Sequence, residues 1–126
     1  MIRGLRTVIY PAPDLEQAKA WYTKVLGIEP YFAEPYYVGF EVGGFELGLD
    51  PQATPSTGGT GVLPYWGVAD AAAALARLVE LGASLLSDVQ DVGGGIRVAS
   101  VRDPFGNAFG IIENPNFSAE KVVSDL

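Results

Sequence analysis

The sequence predicts an α+β domain built from two βαβββ modules, and three observations carry the prediction. A strand, helix, strand pattern occurs twice; the pairs Leu26-Gly27 and Leu81-Gly82 that close the two helices stand 55 positions apart; and the stretch between the halves is rich in Pro, Ser, Thr and Gly. At 126 residues the chain has the size of one domain, which buries roughly two thirds of its unfolded surface. The expected division is a first module over 1–50, a linker over 51–61, a second module over 62–113 and a tail over 114–126.

The elements follow in order. Thr7 to Tyr10 begins with three β-branched residues, and Pro11-Ala12-Pro13 ends the strand. Leu15, Ala18, Tyr22 and Val25 then recur at helical spacing behind a capping-box-like Asp14 and Gln17, with Gly27 at the C-terminal stop. Pro30 and Pro35 bracket an edge strand, and Tyr36 to Val42 runs into a Gly43-Gly44 hairpin turn before Phe45 to Leu49. In that last strand Phe45, Leu47 and Leu49 share the core face, while Glu46 and Gly48 share the other.

The second module repeats the plan. Val62 to Val68 reads as a strand, Asp70 caps a helix carrying Ala71, Ala74, Leu75, Leu78 and Leu81, and Gly82 ends it. Strands over Leu85 to Val92, Ile96 to Arg102 and Ala108 to Ile112 are separated by Gly93-Gly94-Gly95 and by Asp103-Pro104-Phe105-Gly106-Asn107. In the tail, Ser118 is placed to cap a short helix through Val123.

Composition removes whole classes of chemistry. Without cysteine the chain forms no disulfide, no thiolate nucleophile and no cysteine-ligated metal site, and without histidine it lacks the commonest transition-metal ligand. A net charge of −7 argues against a nucleic-acid partner, which requires clustered Lys and Arg, and favours a neutral or cationic ligand. The first residues contain no apolar signal core, and no apolar run approaches the roughly 20 residues of a membrane span. A cytoplasmic location with no membrane partner is the expectation.

The phrase Ala12-Pro13-Asp14-Leu15-Glu16-Gln17-Ala18, with Trp21-Tyr22 and Leu26-Gly27, resembles the first-module helix signature of the vicinal oxygen chelate family. Glyoxalase I, extradiol dioxygenases, fosfomycin-resistance enzymes and bleomycin-binding proteins belong to that family. Arg102-Asp103-Pro104-Phe105-Gly106-Asn107 is similar to the family's turn before its last strand, and the likeness runs from Leu5 to Glu113. The resemblance implies two modules forming one cupped mixed sheet, with helices on the convex face and the ligand cleft on the concave face. It also implies a homodimer, as members commonly pair or exchange modules. The turn has its own physical basis, since Asp103 can bond nearby backbone, Pro104 presets its dihedral, and Gly106 or Asn107 can take a positive φ.

In metal-dependent members a ligand sits in the first strand and another in the last strand of each module. Counting from the motifs puts Thr7, Leu63 and Gly110 at three of these positions, and only Glu46 matches the fourth with a donor. Glu113 falls on the opposite parity from Gly110. One carboxylate is too few for a transition metal, so no cofactor is expected, and the chain is not a classical metal-dependent glyoxalase I or extradiol dioxygenase. A weak magnesium site shared by Glu46, Glu41 and substrate oxygens is the remaining metal option.

Strand parity then gives the cleft face: Thr7, Ile9, Tyr37, Glu41, Glu46, Leu63, Tyr65, Ser100 and Ile112. Trp66 falls on the helix-facing side as core, one of Trp21 and Tyr22 packs inward, and Tyr36 and Tyr37 suit cross-strand packing or a dimer contact equally. An apolar and aromatic wall with two carboxylates suits a flat organic ligand, aromatic or cationic. Three functions fit: a binding protein that sequesters such a ligand without metal; an enzyme of lyase, isomerase or hydrolase type with Glu46 as general base and a raised pKa; or a decayed cleft with a protein-interaction role. Glu46 also has a structural reading, as a solvated strand residue or a partner of Arg97 or Arg102.

Overall fold

The computed structural model describes residues 7–53 and 63–115. Ten elements run in the order β1 (Thr7–Pro11), α1 (Leu15–Leu26), β2 (Phe32–Glu34), β3 (Tyr37–Val42), β4 (Phe45–Asp50), β5 (Tyr65–Gly67), α2 (Ala71–Glu80), β6 (Ser84–Asp91), β7 (Arg97–Arg102) and β8 (Ala108–Glu113). Each half is one βαβββ unit forming a four-stranded mixed sheet, in the orders β1-β4-β3-β2 and β5-β8-β7-β6. In both, the first strand runs parallel to the last and the remaining pairs are antiparallel.

Local chemistry accounts for the boundaries. The Asp14 and Asp70 side chains accept from the backbone N–H of Gln17 and Ala73, satisfying orphan donors at the two helix starts. Gly27 closes α1 at φ 70°, a left-handed conformation costly for any side chain. α2 stops at Glu80, two positions before the glycine, with Leu81 as its cap and the Gly82 N–H donating to the Val79 carbonyl. Gly43 and Gly44 both have positive φ, 60° and 92°, as a tight two-residue hairpin turn demands. The strand read from Val62 to Val68 is shorter, Tyr65–Gly67; Val62, most of the linker and the segment with Ser118 and Val123 lie outside the described residues.

Both helices pack on one side of their sheets, and a single core spans the halves. Phe40, Leu47 and Leu49 of the first module and Leu78, Val101 and Ile111 of the second belong to one buried cluster. The joint is aromatic. Tyr10 on β1 and Trp66 on β5 stand at equivalent positions, each four residues ahead of its helix cap, and the indole N–H donates to the Tyr10 hydroxyl at 3.3 Å. Phe109 stacks on both rings, with centroids 6.2 and 5.9 Å away. The two edge strands β1 and β5 are therefore joined through these rings at equivalent positions of the two modules.

The Asp103 turn does more than reverse the chain. The buried Asp103 carboxylate accepts from the backbone N–H groups of Phe105 and Asn107 through one oxygen. Its other oxygen accepts from the Asn107 amide at 3.1 Å and from the Tyr22 hydroxyl at 2.6 Å. Tyr22 belongs to the other module. Burial, and then the Asp103 charge, push its phenol pKa well above the ordinary value, so it remains a donor. The Asn107 amide also donates to the Pro11 carbonyl, and the Trp21 indole donates to the Leu81 carbonyl. Trp21 and Tyr22 thus both point inward, and both clamp the halves together.

Candidate functional site

The sheet faces turned away from the helices carry the candidate site. On the first sheet, cross-strand register places Thr7 beside Glu46, Ile9 beside Gly48, and Glu41 on the far side of Glu46. On the second it places Tyr65 and Ser100 on either side of Gly110, and Gly67 and Val98 on either side of Ile112. Ile9 and Tyr65 are about half exposed, Ser100 is buried, and Leu63 lies two residues ahead of β5.

Glu46 is the centre of the first half. The Tyr37 hydroxyl donates to Oε1 at 2.6 Å, the Thr7 hydroxyl donates to the same oxygen at 3.3 Å, and the Tyr31 hydroxyl donates to Oε2. These donors, Tyr31 first and Tyr37 second, hold the carboxyl below its ordinary pKa and outweigh the rise that burial alone would give. This reverses the raised pKa expected for a general base. The geometry also replaces the ion pair considered for Glu46: its partners are hydroxyls, and Arg102 donates instead to the Gly106 carbonyl. Burial and the Glu46 charge raise the Tyr37 phenol above its usual value, so it stays a donor at neutral pH. Glu41 has a turn role, accepting the Gly44 N–H at 2.7 Å.

Three glycines make room for three tyrosines. A Cβ on Gly39 would lie 3.2 Å from the Tyr31 ring, one on Gly48 only 1.9 Å from the Tyr37 hydroxyl, and one on Gly110 only 2.7 Å from the Tyr65 ring. Each tyrosine side chain occupies space at a sheet position with no side chain of its own, as interior-strand glycine permits. Tyr31 was not anticipated from the sequence, because it precedes a three-residue strand with no period of its own. An open hollow of about 500 Å³ adjoins this group, lined by Tyr31, Phe32, Tyr36, Tyr37 and Asp50.

The internal symmetry corrects one assignment. Ile9 and Tyr65 each stand five residues ahead of their helix cap, and they pair with Gly48 and Gly110 respectively. The first-module counterpart of Gly110 is therefore Gly48, and Glu46 sits two residues away from it. A two-residue offset preserves strand parity, which is why counting from motifs did not reveal it.

Two parallel-ended βαβββ units around one core, with a tyrosine-lined open face, define a two-module α+β protein of the glyoxalase-like architecture. Residues 4–111 match the profile of the Glyoxalase/Bleomycin resistance protein/Dioxygenase superfamily, and the chain belongs to that superfamily. Similar solved structures include a glyoxalase-related enzyme from Fulvimarina pelagi, at 21% identity and TM-score 0.76, covering 98% of this chain and 96% of that one. A lactoylglutathione lyase from Agrobacterium tumefaciens is 25% identical with TM-score 0.68, covering 89% and 94%. TioX from Micromonospora sp. ML1 is 21% identical with TM-score 0.65, covering 88% and 98%. A search of curated proteins returned no match.

Metal ligation, which the superfamily implies for part of its members, does not fit these residues. The four aligned positions hold Thr7, Gly48, Leu63 and Gly110, two of them without side chains and overlaid by Tyr37 and Tyr65. The nearby Glu46 carboxylate is engaged by three hydroxyls, and Glu41, its partner in the magnesium option, is turned to the hairpin. Among the described residues no group of three or more Asp, Glu, His or Cys is gathered as a metal site would require. Glu113 accepts the Ala71 N–H at the start of α2, on the helix side. Neither described helix is long and apolar enough to cross a membrane.

Proposed function

We propose that this chain is a small-molecule-binding protein that holds an aromatic or cationic organic ligand in its cleft, without metal or cofactor. The observation that carries the reading is the pair Tyr37 over Gly48 and Tyr65 over Gly110. Where a metal-dependent relative would project carboxylates, this cleft offers aromatic surface. The four strands of the first sheet contain Glu34, Glu41, Glu46 and Asp50 but no Lys or Arg, which favours a ligand that is cationic or donates hydrogen bonds.

Ligand contacts are assigned to Thr7, Ile9, Tyr37, Glu46, Leu63, Tyr65, Ser100 and Ile112, with Tyr31 added by the geometry. The lowered pKa of Glu46 favours an anchoring anion over a general base near neutrality. The exposure of Tyr31, Tyr65 and Ile9 supports this reading over the interaction-module alternative, which called for a collapsed, side-chain-filled cleft. A cytoplasmic homodimer completes the reading.

Titration calorimetry and tyrosine fluorescence against a panel of planar organic cations and neutral aromatics test it. Stoichiometric binding that persists in excess chelator and weakens at least tenfold in Glu46→Gln is expected. Turnover that disappears on chelation and returns with a divalent metal would refute it.

A further inference from the structure

Resting on the reading of the cleft as an organic-ligand site, we propose that Tyr31 is a displaceable placeholder. Its hydroxyl occupies the acceptor position on Glu46 that a ligand's own N–H or O–H donor takes over on binding. The two oxygens of Glu46 are unequally held. Oε1 receives Tyr37 and Thr7, whereas Oε2 receives Tyr31 alone. A carboxylate offers about four acceptor positions, so three hydroxyls leave one open, and a ligand that donates two hydrogen bonds to Glu46 must displace one of them.

The three hydroxyls differ in how readily they can leave. Thr7 and Tyr37 belong to sheet strands, and the Tyr37 ring is fitted over Gly48 on the neighbouring strand. Tyr31 precedes the three-residue edge strand β2, is 63% exposed, and is tied to the sheet by its backbone N–H to the Gly39 carbonyl at 3.0 Å. Its ring also forms part of the wall of the hollow, so a rotamer change there both frees Oε2 and alters the space. The hydrogen bond to Glu46 and the carboxylate's charge keep its phenol protonated, so the hydroxyl acts as a donor through the neutral range.

The placeholder makes a prediction opposite to that for an ordinary contact residue. Tyr31→Phe keeps the ring and deletes the competing hydroxyl, so a donor-bearing cation should bind more tightly, by about threefold to tenfold, the worth of one hydrogen bond. The probe is benzamidinium, planar and cationic with N–H donors, titrated by calorimetry into the wild-type protein, Tyr31→Phe and Glu46→Gln. Tightening in Tyr31→Phe together with loss in Glu46→Gln supports the proposal. Unchanged or weaker binding in Tyr31→Phe, while the wild type binds, overturns it and leaves the cleft reading intact. Failure of benzamidinium to bind both wild type and Tyr31→Phe also overturns it, and the wider ligand panel then decides the cleft reading separately. Circular dichroism and urea unfolding of each variant establish that it is folded.

Discussion

Gly48→Ala tests the most constrained contact in the site. The added methyl would lie 1.9 Å from the Tyr37 hydroxyl and 2.6 Å from the carbon bearing it, against roughly 3.5–4.0 Å for an ordinary contact. The ring has to move by about 1.5–2 Å, which breaks its 2.6 Å hydrogen bond to Glu46. A hydrogen bond to a charged group contributes about 1.5–3 kcal/mol, and partial exposure brings this one to the lower end. Replacing a strand-interior glycine returns about 0.5–1 kcal/mol of backbone entropy. The net expectation is destabilisation of about 1 kcal/mol. In a Tyr37→Ala background the same Gly48→Ala change meets no ring and becomes neutral or slightly stabilising. Urea unfolding of the wild type, both single variants and the double variant gives the coupling, expected at about 1.5–2 kcal/mol. An equal effect of Gly48→Ala in both backgrounds would refute the ring-over-glycine account.

Other outcomes follow from the same contacts. Tyr22→Phe removes a buried donor from Asp103 and should cost about 1.5–3 kcal/mol in urea unfolding, with an unchanged denaturant slope because both modules share one core. Glu46 is held below its ordinary pKa of about 4.5, so its contribution to stability is present above that value and is lost as pH falls through the lower folded value. Tyr37→Phe, by removing one donor, should raise the Glu46 pKa measured by carboxyl-carbon NMR and reduce the loss of stability across that acidic window.

Much of the fold was legible because its signals are local. Asp14 and Asp70 cap helices through contacts within three residues, and Gly43-Gly44 permits only a tight turn. The site was partly legible: alternation put Thr7, Tyr37 and Glu46 on one face, and they do meet. What escaped was non-local. The register that makes Gly48 the mate of Gly110 is fixed by pairing between β1 and β4 and between β5 and β8, which parity cannot sense across a two-residue shift. Asp103 read as a turn residue because its bond to Tyr22 spans 81 positions. A usable signal for Tyr31 was present in Gly39, since strand-interior glycine marks a place where something else lies close.

The two halves fill equivalent gaps from different directions. Over Gly48 the ring arrives from β3, an antiparallel neighbour, and ends on a carboxylate; over Gly110 it arrives from the parallel neighbour β5. A duplicated scaffold has thereby lost the equivalence of its two modules at the surface where that equivalence would let a guest lie either way round. Under the proposed binding role, an elongated molecule spanning both halves would meet the Glu46 carboxylate at one end and the Tyr65 ring at the other, and so would have a preferred heading.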